Sequence, residues 1–338
     1  MIALDAMGGD HGPKVTVPAA IQALKKFKQL KIILVGQESV LNPHLLRLSS
    51  DVRNRLTIQH CTQVVGMDEL PSQALRHKKD SSMRVAINLV KNGEARACVS
   101  AGNTGALMAT ARFVLKTLPG IDRPAIVALM PNKAKGVIHF LDLGANIDCS
   151  PQHLLQFAAM GSVLTSAVCG IEKPSVGLLN VGTEEIKGSE CIKQTHALLS
   201  TCKDIHYVGY VEGNDVCLGN VDVIVTDGFS GNVALKSMEG MVKLIVHYMS
   251  ESFKRNWFTK FCGFLALPVI YGFKKNFNPD LYNGASLVGL NGIVVKSHGS
   301  AKELGMFHAI KVALLESEND VTQHISERLS DILRSGEE

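Results

Sequence analysis

Aromatic residues make up only 5% of this chain, with a single tryptophan, and no long hydrophobic run is present. The longest uncharged apolar stretch, residues 261–273, is interrupted by Gly263, Pro268 and Gly272. A bilayer-spanning helix needs ~20 consecutive apolar residues, so this stretch is too short to cross. The N-terminus has no basic segment and no apolar core, and a signal peptide is not expected. A large excess of one charge sign is lacking too: the net charge is +4, with no Lys/Arg block of the kind that binds nucleic acid. Cysteine is present but unpatterned, at 61, 98, 149, 169, 191, 202, 217 and 262. No C-x-x-C or other metal-ligand spacing occurs, and contexts such as Ala97-Cys98-Val99 suit reduced packing thiols in a cytosolic protein. Walker A, G-x-G-x-x-G and G-x-S-x-G sequences are all absent.

What is there is a β-α rhythm. Short apolar runs at 2–4, 31–35, 56–58, 97–100, 125–129, 137–141 and 175–181 alternate with amphipathic segments at 15–27, 83–90, 106–115 and 151–168. Such alternation predicts a doubly wound α/β fold, a mostly parallel sheet with helices on both faces. The strand segments are apolar almost throughout, as strands covered on both sides must be. From 236 to 257 Met238, Met241, Val242, Ile245, Met249 and Phe253 recur at helical spacing. An apolar and basic stretch follows to 278, then Gly-rich strands at 284–296 and two closing helices near 301 and 321. The expectation is one domain over 1–338 with a projecting helical element at 240–278.

Ligands of open parallel sheets sit beyond the carboxyl ends of the strands. Two strand-to-helix turns share the form G-x-x-G: Gly102-Asn103-Thr104-Gly105 and Gly228-Phe229-Ser230-Gly231, the latter followed by Asn232. Glycines let backbone N–H groups face an anion, and the helix N-terminus adds partial positive charge. The same form also serves as a plain capped turn. In a third turn, Lys187 stands between Asn180-Val181-Gly182 and a helix start, where a cation opposes the macrodipole unless an anion binds nearby. Pairing with Glu184 or Glu190 is the other reading of Lys187. A fourth turn carries Asp142 and Asn146, which either order neighbouring donors or cap the next helix. The N-terminal strand leads into Asp5, Gly8-Gly9 and Asp10, and His298 precedes a late helix for which Ser300 is a natural cap.

Taken together, LDAMGGD, SAGNTGALMA, LDLGAN, LLNVGTEEIKG, TDGFSGNVALK and SHGSA, in this order along nearly the whole chain, resemble the PlsX phosphate acyltransferases. The resemblance implies a fold related to phosphotransacetylases and isocitrate-dehydrogenase-like enzymes, and a homodimer. It implies reversible transfer of a long-chain acyl group from acyl carrier protein to inorganic phosphate, giving acyl phosphate for phospholipid synthesis. No metal or organic cofactor is expected. A cytoplasmic location, contact with the membrane surface and hand-over to a downstream membrane acyltransferase are implied as well. Phosphate is already a charged nucleophile, and a thiolate of pKa ~8.5 leaves without strong acid help. Positioning and oxyanion stabilisation are therefore the main demands. On this reading Lys187, Asn232 and Ser230 act at the reacting centre and Gly102, Asn103, Thr104 and Gly105 cradle phosphate. Asn180, Gly182, Gly228 and Gly231 shape the opposite wall, with Asp142, Asn146 and His298 in support. A phosphotransacetylase acting on short acyl-coenzyme A is the nearest rival. A metal-dependent dehydrogenase would need carboxylate clusters and a nucleotide loop, and a membrane-surface scaffold would leave six ligand-type loops unexplained.

Overall fold

A computed structural model describes residues 1–46, 48–134, 136–276 and 278–335. Its strands are β1 (Ile2–Asp5), β2 (Ile32–Gly36), β3 (Leu56–His60), β4 (Ala97–Ser100), β5 (Ala125–Pro131) and β6 (Val137–Leu141). They continue with β7 (Ser175–Leu179), β8 (His206–Val211), β9 (Val223–Val225), β10 (Ala285–Val288) and β11 (Ile293–Lys296). All lie in one sheet, in the order β3-β2-β1-β4-β11-β10-β5-β6-β9-β7-β8. The helices begin with α1 (Pro13–Lys26), the single turns α2 (Glu38–Leu41) and α3 (Ser50–Arg53), α4 (Pro71–His77), α5 (Ser82–Lys91) and α6 (Thr104–Leu115). Then come α7 (Pro151–Cys169), α8 (Glu190–Thr201), α9 (Gly228–Lys254), α10 (Trp257–Leu265), α11 (Leu267–Asn276), α12 (Glu303–Glu318) and α13 (Val321–Ser335).

Parallel pairing joins β3, β2, β1, β4 and β11, and again β6, β9, β7 and β8. Between these halves β10 and β5 pair antiparallel with each other and with their outer neighbours. Each such pairing reverses direction, so the two parallel halves run opposite ways. That reversal was not anticipated from the sequence.

Both faces are covered, which accounts for the unbroken apolar strands. Ile2, Leu4, Ile32 and Leu34 pack with α1 and α12, while the alternate residues Ala3, Ile33 and Val35 pack with α5 and α6. In the second half, Val176, Leu178, Val223 and Val225 share a cluster with α7 and α13. Helix α7 is buried over most of its length and has firm ends. Ser150 Oγ accepts from His153 N, His153 Nδ1 accepts from Ser150 N, and Gly170 closes the helix in the left-handed region.

Helix α4 was not expected, and α9 and β8 differ from expectation for identifiable reasons. Helix α9 starts at Gly228 rather than 236, because Asp227 Oδ1 accepts from Ser230 N at 2.8 Å and caps a segment whose glycines read as loop. Strand β8 was not expected: Gly209 at φ +100° interrupts its alternation, and the register with β7 shifts between Val176 and Gly177.

Candidate active site

Polar side chains collect at the carboxyl ends of β1, β4 and β11, which are adjacent strands. Buried Asp5 accepts from Ser100 Oγ at 2.6 Å, Gly8 N at 3.1 Å and Met7 N at 3.3 Å. Burial pushes its carboxyl above the usual range, against those bonds and one from Ser82. Ser100 Oγ in turn accepts from Gly102 N at 3.0 Å, so the carboxylate sets the start of the 102–105 turn. Buried Lys296 closes the set: its ammonium donates to the carbonyls of Ala101, at 3.5 Å, and Ser297. Burial brings it down to about 8, opposed by Asp5 and Asp10.

Asn103 caps α6, accepting from Ala106 N at 3.0 Å, and its amide donates to the carbonyls of Met67 and Glu69. Its side chain is thus committed to holding the turn. The first N–H groups of α6, at Thr104 and Gly105, have no partner within the helix and remain available as donors. Thr104 is exposed, and Gly105 lies against Pro71.

A second set lies at the carboxyl ends of β6, β9 and β7, again adjacent. Buried Asp142 accepts from Ile126 N, Ala145 N and Asn146 N at 2.7–3.1 Å, and from Asn146 Nδ2 at 3.0 Å. Asn146 also donates to Pro124 O, at 2.8 Å. This pair orders the 142–146 turn; burial raises the Asp142 carboxyl. Gly228 and Gly231 dock α9 onto that turn. A methyl at Gly231 would meet Asp142 O at 2.0 Å, and Gly228 N donates to Asn146 O at 2.7 Å. Ser230 Oγ donates to Asp227 Oδ2 at 2.8 Å and is likewise engaged. Asn232 is exposed beside Gly144. Asn180 Nδ2 donates to Lys187 O at 3.3 Å, drawing the two ends of the third turn together. Lys187 runs over Gly182 and is exposed. Among the described residues no carboxylate lies within ion-pair distance of its ammonium, so pairing with Glu184 or Glu190 is not observed. The helix that follows this turn lies close to the other two, since Cys191 Sγ donates to Cys149 O at 3.3 Å and the Asp227 charge acts on the Cys191 thiol.

Helix α9 links the two sets. Lys236, one turn beyond Asn232, pairs with Glu239 at 2.8 Å, and both charges act on His298. Partial burial and the Lys236 and Lys296 charges hold the imidazole below its usual range, while Nδ1 bonds Ser300 Oγ at 2.9 Å. Ser100, Lys296 and Lys236 were not singled out from the sequence, and Asp5 was noted only as a polar group at a strand end, with no role in the site. A lysine closing the apolar run Ile293-Val294-Val295-Lys296 was the signal available. Among the described residues, no three His, Cys, Asp or Glu side chains gather as a metal site.

Known proteins resemble this chain in fold and in sequence. The solved phosphotransacetylase of Streptococcus pyogenes superposes with a TM-score of 0.61 at 19% identity, over 94% of this chain and 93% of that one. A branched-chain phosphotransacylase from Enterococcus faecalis gives 0.56 at 16% identity, over 94% and 99%. At such identities the likeness is one of fold. In sequence, residues 1–324 match the family model described as fatty acid synthesis protein. The phosphate acyltransferase of Nitrosococcus oceani is 59% identical over 336 residues, covering 99% of this chain and 98% of the relative. That of Chromobacterium violaceum is 57% identical over 329 residues, covering 97% and 95%. The chain belongs to the PlsX family of phosphate acyltransferases.

Proposed function

We propose that this protein moves a long-chain acyl group reversibly from the thioester of an acyl carrier protein to inorganic phosphate. The observation that carries the reading is the 59% identity, over nearly the whole chain, to a phosphate acyltransferase. A phosphate oxygen attacks the thioester carbon, the C–S bond breaks, and the carrier leaves as thiolate and takes up a proton. Free N–H groups at Thr104 and Gly105 hold phosphate at the α6 N-terminus. Lys187 and Asn232 act on the carbonyl oxygen as its charge develops, because their polar ends carry no internal bond that would have to break. Ser230, Asn103, Asp142, Asn146, Asn180 and the glycines at 102, 182, 228 and 231 set the backbone around them. His298, held neutral and bonded to Ser300, lines the side facing Lys236.

We read the chain as one unit from which the 240–278 helices project, acting in the cytoplasm as a homodimer that touches the membrane surface. There its acyl phosphate passes to a membrane acyltransferase for phospholipid synthesis. Exposed Met241, Leu244, Ile245 and Tyr248 on α9 suit a second copy of the chain. Trp257, Phe258, Phe261 and Phe264 on α10, all more than half exposed and near Lys254, Arg255 and Lys260, suit an anionic lipid surface. The side chains of Lys274 and Lys275, and Phe277, expected to share that role, lie outside the described residues. No described helix is long and apolar enough to cross a membrane.

Incubation with a long-chain acyl carrier protein tests the reaction. Thiol release should require added phosphate and yield a hydroxylamine-sensitive acyl phosphate. Release at full rate without phosphate would make the protein a thioesterase, and preference for acetyl-coenzyme A would make it a short-chain phosphotransacetylase.

A further inference from the structure

On helix α6, Ala109, Arg112 and Phe113 recur at i, i+3 and i+4, forming one stripe that the core does not use, and Lys116 follows as the residue that caps the helix. With Leu75 of α4 and Thr117 this stripe lines an open groove of about 380 Å³. Phe113 is 53% exposed. Two cations from different elements sit over its ring: Arg84 of α5, 5.1 Å from the centroid, and Lys116, at 4.8 Å. Among the described residues none of Arg84, Arg112 and Lys116 has a carboxylate partner. The groove is therefore a cluster of unneutralised positive charge around an exposed aromatic ring.

Its backbone carries an independent sign of use. Lys116 stands at φ 63° and ψ 168°, a region that glycine occupies and side-chain-bearing residues avoid. Its own N–H donates to Arg112 O, Asn291 N donates to its carbonyl at 3.1 Å, and Asn291 Nδ2 to Thr117 O at 2.8 Å. A glycine would meet the backbone requirement at this position without strain, yet a long cation is present, held over Phe113.

Position selects the occupant. Helix α6 begins at the phosphate cradle, and at 1.5 Å per residue Lys116 lies roughly 18 Å from it. Resting on the proposed acyl transfer, the geometry points to this groove as the docking surface for an acidic helical face of the carrier protein. The thioester, at the end of the carrier's flexible arm, would then reach the cradle along α6. An acidic partner supplies the charges that Arg84, Arg112 and Lys116 lack, and apolar side chains beside its acids meet Phe113 and Leu75.

The test compares acyl carrier protein with a carrier-free thioester of the same acyl chain, acyl-pantetheine. The double substitution Arg112→Glu/Lys116→Glu should raise KM for the acyl carrier at least tenfold, leaving kcat and the kinetics with acyl-pantetheine and phosphate unchanged. Lys116→Gly should raise the same KM while raising Tm, because the backbone strain goes with the cation. An unchanged carrier KM in both variants overturns the docking site. So does an equal loss on both thioesters, or a loss of binding to anionic vesicles with carrier kinetics intact, which would make the groove a lipid contact. Wild-type protein that releases no thiol from acyl carrier protein on phosphate addition would instead overturn the proposed reaction, and the docking site with it.

Discussion

At the scale of single residues, the site separates into polar groups that are spent and polar groups that are free. Asn103, Ser230, Asp142, Asn146 and Asn180 all bond within their own or neighbouring turns, whereas Lys187 ends in solvent with its stem over Gly182. A free cation costs little to remove structurally, and on the proposed mechanism it is the charge that acts on the developing oxyanion. Lys187→Ala should therefore lower kcat about 10²–10³-fold, as loss of one such donor does in other acyl-transfer sites. The Tm should stay near that of the parent, since no bond or buried contact of the ammonium is lost. Near-parental turnover in the folded variant would remove Lys187 from the chemistry.

At the scale of elements, α9 is the helix that connects the two sets of turns. Its first turn touches the 142–146 turn, its second carries Asn232, and its third reaches His298 through Lys236 and Glu239. Gly231→Ala would place a methyl 2.0 Å from Asp142 O, so the helix start must shift. Overpacking of this kind costs about 1–3 kcal/mol; urea denaturation should show that loss, and kcat should fall as Asn232 moves. A parental denaturation midpoint with full activity would mean that the docking is looser than described. The exposed aromatics of α10 make a second prediction at this scale. Vesicles containing anionic lipid should float the protein, Phe261→Ser/Phe264→Ser should reduce flotation, and failure of the unmodified protein to float would end the membrane reading. Most of these elements were legible in the sequence. Ile2, Leu4 and Val99 sit in apolar runs bounded by turn residues, and the G-x-x-G turns stand after strands. Three features were not legible. The start of α9 was hidden because Gly228 and Gly231 look like loop until Asp142 O is seen beside them. The opposed halves of the sheet depend on the pairing of β5 and β10, which local pattern does not encode. The Asp5–Ser100 bond joins residues far apart in sequence, and only the adjacency of β1 and β4 reveals it.

For the molecule as a whole, two buried groups outside the site tilt stability against pH in opposite directions. His139, on β6, is buried with Nδ1 unpartnered among the described residues, and burial pulls it down to about 4 from 6.5. In the unfolded chain it protonates below about 6.5, while the fold resists until about 4. Its contribution is thus complete above 6.5 and falls by about 3 kcal/mol as pH drops through this window. Glu316, on α12, accepts a hydrogen bond from Ser286 of β10, and burial pushes it up to about 7 from 4.5. The folded state holds that proton where the unfolded state has lost it. Its contribution is complete below 4.5 and declines by a similar ~3 kcal/mol as pH rises to 7. Between about 4.5 and 6.5 the two slopes oppose each other, which flattens the dependence of the parent protein. Glu316→Gln keeps a partner for Ser286 and removes one slope. Relative to the parent, this variant should gain stability as pH rises from 4.5 to 7, and its own loss in acid should be steeper. His139→Gln should do the reverse, gaining on the parent as pH falls from 6.5 to 4. Subtracting the parent's curve cancels the other titrating groups, provided the substitutions act independently of them. Urea midpoints across this range measure both differences. Curves that stay parallel to the parent's would show that neither group keeps its buried protonation state in the folded protein.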